Sequence, residues 1–305
     1  MPQTICLAQK FSSAQFVISP TSDDVGYAPI TTRKDDSLEH ILTMAQSKDP
    51  YHTDTTESPL SPSSSIDNVV TMASGGPRIG IFALQGAVSE HVDAVKKLGG
   101  SCVEIKYPEQ IRSTEEPLDG IILPGGESTT MSIVGEQSGI FPALREWVLE
   151  KKKPVWGTCA GMILLSDHCV KTSAGQSLLG GLDAHVCRNF FGSQIYSTEM
   201  PLSVQGLEGD GSYPAIFIRA PAILSCGKDV QVLASINAVP HKFATEEVQS
   251  YLAAERELGA EVKEGEKGEI DVKVAIKSGN ILATAFHPEL SEDLRWHQYF
   301  LEMCR

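Results

Sequence analysis

The chain is short of positive charge, of paired cysteines and of long apolar runs, and each shortage counts against a class of function. It carries 25 Lys and Arg against 39 Asp and Glu, a formal net charge of −14. A surface of that sign repels phosphate backbones and anionic headgroups, which argues against nucleic acid or a membrane as the main partner. The 7 cysteines are odd in number and scattered, with no CxxC pair. Neither a disulfide framework nor a zinc site is indicated. No stretch approaches the roughly 20 apolar residues that a membrane span needs. The N-terminus lacks the basic-then-apolar layout of a secretory leader, and Lys10 alone is a weak basis for mitochondrial targeting. A reducing, cytoplasmic compartment is the expectation. What remains, 41% hydrophobic and 21% charged residues in 305, suits a globular protein of one large or two small domains.

Residues 1–76 differ from the rest. The run Thr53-Asp54-Thr55-Thr56-Glu57-Ser58-Pro59-Leu60-Ser61-Pro62 is too polar and turn-rich to bury a core. The segment reads as a disordered, low-complexity extension, and initiation at Met72 would retain all that follows it. From Arg78 onward strand-like and helix-like stretches alternate. Ile79–Leu84, Cys102–Ile105 and Leu118–Leu123 read as strands. Val88–Leu98 and Phe141–Glu150 read as helices, the first stopped by Gly99-Gly100. That order implies a parallel sheet covered by helices, with active residues beyond the strand carboxyl ends. The later part is richer in strands, at Ala215–Ile218, Val230–Ile236, Val272–Lys277 and Ile281–Phe286, and a helix over Trp296–Met303 closes the chain.

Two separated segments carry the chemistry. Gly157-Thr158-Cys159-Ala160-Gly161 lies between a strand-like stretch and the helix-like Met162-Ile163-Leu164-Leu165. This is a strand-to-helix elbow, with glycines permitting a tight backbone and a cysteine at the apex. The helix N-terminus favours the thiolate, which is the nucleophilic form. His287-Pro288-Glu289 ends another apolar run. Pro288 biases His287 toward extended backbone, so side chains 287 and 289 are expected on one side. A carboxylate there holds one imidazole nitrogen while the other serves a thiol, giving nucleophile, base and orienter. Cys6, Cys102, Cys169, Cys187, Cys226 and Cys304 lack an elbow and read as small structural residues. His91, His168, His185 and His297 sit in ordinary helix- or strand-like stretches, and His40, His52 and His241 in polar ones.

With these residues in view, the chain resembles the class I, triad-type glutamine amidotransferases, and among them the glutaminase subunits of pyridoxal 5′-phosphate synthases. The match is carried by Leu84-Gln85-Gly86-Ala87-Val88 with Glu90-His91, by Leu123-Pro124-Gly125-Gly126-Glu127-Ser128-Thr129-Thr130-Met131, by the Cys159 elbow and by Phe286-His287-Pro288-Glu289-Leu290. Arg188-Asn189-Phe190-Phe191-Gly192 and Phe217-Ile218-Arg219-Ala220-Pro221 match as well. The resemblance runs from about residue 78 to the C-terminus, so residues 77–305 are expected to form the glutaminase domain. Residues 1–76 fall outside the family pattern, as does a charged insertion at about 238–270 with an amphipathic helix candidate over Thr245–Leu258.

The resemblance implies a three-layer α/β sandwich with a central, mostly parallel, flavodoxin-like sheet and an extra strand-rich C-terminal part. It implies hydrolysis of L-glutamine by Cys159, His287 and Glu289, with oxyanion donors at Ala160 and in the Gly125-Gly126 turn, Gly126 above all. Gly126, Glu127, Ser128, Arg188, Ile218 and Arg219 would line the glutamine site, with Arg188 or Arg219 facing the substrate carboxylate. Gln85 would act in activation, in a loop against a partner. The partner implied is a (β/α)₈-barrel synthase subunit that takes up the ammonia. No metal or bound cofactor is implied. The alternatives are another hydrolase or amidotransferase with the same Cys-His-Glu layout, and a non-catalytic scaffold on the same fold. The Gly-Gly-Glu-Ser run disfavours the imidazole glycerol phosphate synthase glutaminase, and the intact Cys159, His287 and Glu289 disfavour a scaffold.

Overall fold

The computed structural model describes residues 75–170, 176–192, 198–209, 211–259, 265 and 268–305. The extension expected over residues 1–76 therefore lies outside the described residues, apart from Gly75 and Gly76.

The first half alternates strand and helix as expected. β1 (Arg78–Phe82) buries four of its five residues, as a strand covered on both faces must. α1 (Val88–Lys97) turns His91, Ala94 and Val95 inward at the helical spacing. β2 (Ser101–Ile105), the short α2 (Pro108–Arg112) and β3 (Gly120–Leu123) follow. α3 (Ser128–Gln137) is capped by the Glu127 side chain, and α4 (Ile140–Arg145) runs into a π-helical turn at Glu146–Glu150. β4 (Val155–Thr158) then leads directly into α5 (Ala160–Leu165). Near the C-terminus, β12 (Ile281–Thr284) and α7 (Arg295–Met303) complete this half. The strands lie in the order β2-β1-β3-β4-β12, every neighbour parallel. Helices gather in two groups, α1 with α7 and α2 to α5 together, giving layers about the sheet. Trp147, Trp156, Trp296, Phe82, Phe141 and Phe300 are the largest fully buried side chains between these layers.

Beyond β12 the same sheet continues with a different pattern. β11 (Ile270–Ser278) is antiparallel to β12, to β10 (Gln231–Ala238) and to β9 (Ala222–Cys226). β9 pairs antiparallel with β6 (Leu182–Cys187), and β6 pairs parallel with the edge strand β5 (Ser166–Val170). β7 (Thr198–Leu202) and β8 (Tyr213–Phe217) form a separate two-stranded ribbon. The strand-rich part thus begins at residue 166, earlier than the sequence pattern suggests. β5 reads Ser-Asp-His-Cys-Val, with Asp167 and His168 exposed, so it lacks both an apolar run and a clean alternation.

β10 ends at Ala238 and its antiparallel neighbour β11 begins at Ile270, so residues between them stand where a turn would suffice. The insertion forms α6 (Thr245–Glu257), which buries Val248 and Leu252 on one face and stops before Gly259 at φ +86°. Tyr251 shares a hydrogen bond with Ser225 of β9, so the helix is seated on the strand-rich half.

Candidate active site

Cys159 is placed by the elbow. Its backbone sits at φ 46° and ψ −100°, a conformation costly for a residue with a side chain and one held only by its surroundings. The Cys159 N–H donates to the Thr284 carbonyl at 2.8 Å, tying the apex to β12. The flanking glycines have a steric reason. A Cβ on Gly157 would strike the Gly161 backbone, and one on Gly161 would strike the Leu123 carbonyl. Close packing of α5 on β3 and β4 therefore requires both.

His287 follows β12 and comes up beside Cys159, the two side chains flanking the Gly125 α-carbon. On its other side, His287 Nδ1 lies 2.7 Å from Glu289 Oε1. The pairing does not come from the extended pleat that Pro288 suggests. Pro288–Leu290 forms a single 3₁₀ turn entered from His287 at φ −109° and ψ 83°. Proline suits the first position of a helical turn because its missing N–H is not needed there, and the turn brings side chains 287 and 289 together. The His287 N–H donates to the Ile216 carbonyl at 2.9 Å, bracing the turn against β8. Burial opposes the charged imidazole, but the Cys159 and Glu289 charges outweigh it and hold the His287 pKa well above its ordinary value. Burial likewise opposes the Glu289 carboxylate, yet the His287 charge beside it brings its pKa down to about 2.

The loop after β3 closes one side. Gly125 has no room for a side chain: a Cβ there would collide with the His287 ring and lie 3.4 Å from Cys159 Cβ. The Gly125 carbonyl accepts from the Ala87 N–H at 3.1 Å. Because this peptide is trans, the Gly126 N–H points away from Ala87. Gln85 Oε1 accepts from the Glu127 N–H at 2.7 Å and crowds the Gly126 α-carbon. The Gln85-Gly86-Ala87 loop is thus fastened to the Gly125-Gly126-Glu127 loop on both sides. Ser128 is buried at the first position of α3, where its hydroxyl accepts from Gln176. Glu127 caps α3, accepting from the Thr129 and Thr130 N–H groups at 3.1 and 2.7 Å. Partial burial opposes its charge, but the Thr130 and Thr129 hydrogen bonds prevail and lower its pKa.

Of the two arginines expected at the site, Arg188 is brought in and engaged. Its guanidinium donates to Glu127 Oε1 at 3.2 Å, Gln176 Oε1 at 2.8 Å and Thr129 Oγ1 at 3.2 Å. Arg219 is exposed, and its backbone occupies the left-handed region at φ 47°, uncommon for arginine. Ile218 beside it is half-buried. The two segments are joined where the Phe191 N–H donates to the Ala220 carbonyl at 3.3 Å. Among the described residues no group of three His, Cys, Asp or Glu is arranged to hold a metal ion.

Two histidines that look ordinary in sequence stand behind the triad. His91 of α1 and His297 of α7 are fully buried and face each other, Nδ1 to Nε2, at 3.0 Å. His91 Nε2 lies 3.5 Å from Glu289 Oε2 and 3.4 Å from Thr158 Oγ1. Burial lowers the pKa of both rings, that of His297 to about 3. A polar ring on the buried stripe of an amphipathic helix was the available signal, but it names no partner.

A cysteine elbow, a histidine–carboxylate pair and a parallel sheet together define a class I amidotransferase-type α/β protein. A solved crystal structure of a glutamine amidotransferase matches with a TM-score of 0.57 and 36% identity, covering 74% of this chain and 98% of its own. The chain belongs to the SNO glutamine amidotransferase family, matched over residues 81–255 and 253–305. It is 45% identical over 236 residues to the probable pyridoxal 5′-phosphate synthase subunit PDX2 of Arabidopsis thaliana, covering 74% of this chain and 86% of that one. It is 37% identical to the pyridoxal 5′-phosphate synthase subunit PdxT of Dehalococcoides mccartyi, covering 75% of this chain and 97% of the relative.

Proposed function

We propose that this protein is a glutaminase that hydrolyses L-glutamine to L-glutamate and ammonia for pyridoxal 5′-phosphate synthesis. The single observation that carries the reading is the Cys159 elbow set beside His287 around Gly125, with His287 Nδ1 held by Glu289 at 2.7 Å. Family membership and relatives named as synthase subunits support the substrate and the pathway.

In this reading Cys159 and His287 are the catalytic residues and Glu289 positions His287. The Cys159 thiolate attacks the side-chain amide carbon of glutamine, and the carbonyl oxygen becomes an oxyanion. Backbone N–H groups of Ala160 and Gly126 receive that oxyanion; losing one such donor typically costs about 10²- to 10³-fold in rate. The Ala160 N–H opens α5 and has no carbonyl four residues back within the helix. His287 as imidazolium gives its proton to the departing nitrogen, the C–N bond breaks, and ammonia leaves a thioester on Cys159. His287, now neutral, takes a proton from water as it attacks the thioester. Collapse expels the thiolate and releases glutamate. The raised His287 pKa suits the first of these steps, in which the imidazolium must be populated. Gly126, Glu127, Ser128, Arg188, Ile218 and Arg219 line the glutamine site. Arg219 is free to meet the substrate carboxylate, whereas Arg188 orders Glu127 and Gln176.

The ammonia passes to a synthase subunit, which we take to be a (β/α)₈ barrel docked over the Gln85 loop. Direct transfer matters because ammonia released into neutral water is protonated and loses its nucleophilicity. The thiolate chemistry and free cysteines suit the reducing cytoplasm.

The test is ammonia release from glutamine with and without the synthase subunit. Cys159→Ala is expected to abolish it while leaving synthesis from added ammonium salts intact. No ammonia in the presence of the partner, together with no thioester trapped at Cys159, would remove the glutaminase reading. Loss of ammonium-driven synthesis in the variant would overturn the division of labour.

A further inference from the structure

Glu289 has two carboxylate oxygens in a buried place, and His287 uses only one. Oε1 takes the Nδ1 of His287 at 2.7 Å. Oε2 is buried without a short hydrogen bond and faces His91 Nε2 at 3.5 Å, both side chains being 0% exposed. An anionic oxygen shut away from water is costly unless a donor is aimed at it. Whether His91 is a donor toward Glu289 depends on where its proton sits, and the surroundings decide that.

His91 Nδ1 and His297 Nε2 are 3.0 Å apart, so one proton lies between them. Burial keeps both rings neutral, with one N–H each. Suppose first that His91 Nδ1 carries the proton. His91 Nε2 then turns a lone pair toward the Glu289 carboxylate. The His297 proton must also sit on Nδ1, which is buried with no partner among the described residues. An orphaned buried donor costs about 1–3 kcal/mol, and the lone pair against the carboxylate adds repulsion. In the other arrangement His297 Nε2–H donates to His91 Nδ1, and His91 Nε2–H points at Glu289 Oε2 and Thr158 Oγ1. Only this second arrangement places a donor on each side of the carboxylate. The groups facing His91 from neighbouring elements agree with it: Glu289 and His287 from the 3₁₀ turn, His297 from α7, Thr158 and the Trp156 ring from β4, and Glu90 on its own helix.

We infer that His91, its tautomer set by His297, is a positioning residue that holds the second oxygen of Glu289 and so fixes the His287 ring against Cys159. The inference rests on the glutaminase reading above. It makes the working unit five side chains in a directed chain: His297 to His91 to Glu289, with His287 donating to Glu289 from the other side and serving Cys159. None of these added contacts reaches the substrate, so the effect falls on turnover rather than on glutamine binding.

The experiment compares His91→Leu and His91→Gln with the unaltered chain, each assembled with the synthase subunit, measuring kcat and KM for glutamine and synthesis from added ammonium. Leu removes the donor, whereas the Gln amide can reach toward Glu289 as Nε2 does. His91→Leu is expected to lower kcat by about 10- to 100-fold, the range seen when a supporting hydrogen bond to a site residue is lost. KM should stay within about threefold, because no contact to bound glutamine is removed. His91→Gln is expected to recover most of kcat, and ammonium-driven synthesis should persist in both, reporting an intact complex. Equal kcat in His91→Leu and the unaltered chain would overturn the inference. So would a Gln variant as impaired as Leu at matched thermal stability, since that is the signature of packing alone. Should the Leu variant fold poorly, the Gln variant against His297→Phe carries the same decision, because His297→Phe removes only the group that sets the tautomer and should lower kcat alone. The glutaminase reading fails separately, through Cys159→Ala retaining glutamine-dependent ammonia release.

Discussion

Strands β1, β3, β4 and β12 and strands β5, β6, β9 and β10 share one sheet, yet they deliver chemistry differently. Each strand of the first set ends in a residue of the candidate site: Gln85 after β1, Gly125 to Glu127 after β3, Cys159 after β4 and His287 after β12. Parallel strands all finish on one edge, so the loops that leave them converge. Antiparallel neighbours finish on alternate edges and converge less. From the second set, Gln176 after β5 and Arg188 after β6 reach the same place: Gln176 donates to the Ser128 hydroxyl, and Arg188 donates to Glu127, Thr129 and Gln176. The ribbon strand β8 contributes a brace, the Ile216 carbonyl under the His287 N–H. The cysteine and the histidine–carboxylate pair thus come from the parallel half, while Arg188 follows β6 and Arg219 follows the ribbon strand β8.

A substitution that respects folding but invades the convergence point should show the contrast most strongly. Gly125→Ala would put a methyl into the His287 ring and against Cys159 Cβ. Here the obstacle is a triad member held by its own hydrogen bonds, which cannot retreat without leaving Glu289. Glutamine-dependent kcat is expected to fall by about 10²-fold or more, the scale of misplacing a reacting group by roughly an ångström. Steady-state glutaminase kinetics on the assembled complex check it, and a loss below about fivefold would show a site that tolerates displacement.

A smaller effect should appear in stability against pH, because the parallel half holds a buried charge pair. The Glu289 pKa falls from an ordinary 4.5 to about 2 in the folded chain. Its contribution is therefore fully present above about pH 4.5 and lost as pH falls toward 2. His287 is shifted upward, so its contribution is present below its ordinary 6.5 and lost as pH rises through the folded value. The gap in urea midpoint between the unaltered chain and Glu289→Gln should therefore narrow between about pH 4.5 and 2. A gap that stays constant across that window would mean the carboxylate is not held as an ion.

The same contrast explains what could be read from the sequence. Cys159 and His287 were legible because an elbow and an apolar strand end dictate residue type locally. β1, β3 and β12 were legible as uninterrupted apolar runs. β5 was not, since an edge strand half open to water carries no such run. Nor was the role of Pro288, which starts a 3₁₀ turn where an extended chain was expected. His91 and His297 are 206 positions apart in sequence, and their meeting depends on the packing of α1 against α7. Contacts made by tertiary packing leave no local signature. The helix over Thr245–Glu257 was legible from Val248 and Leu252 on one face.

That helix provides the mildest and most discriminating test of the division between halves. Leu252 is 7% exposed on the buried face of α6, and the helix is fastened to β9 through Tyr251 and Ser225. Leu252→Ala removes buried methyl groups at the margin of the core, so a cost of about 2 kcal/mol in unfolding free energy is expected, at the low end for such truncations. The insertion approaches the site beside Arg188: the His241 N–H donates to the Phe190 carbonyl at 2.9 Å, and Phe243, Ala244 and Glu247 line a pocket together with Arg188 and Asn189. Main-chain anchoring at His241, before the helix begins, survives softening at Leu252, so kcat and KM should each stay within about twofold. Urea unfolding and glutaminase kinetics on one preparation measure both quantities together. A KM raised about tenfold at unchanged kcat would place the insertion behind Arg188 and make the strand-rich half a partner in substrate recognition.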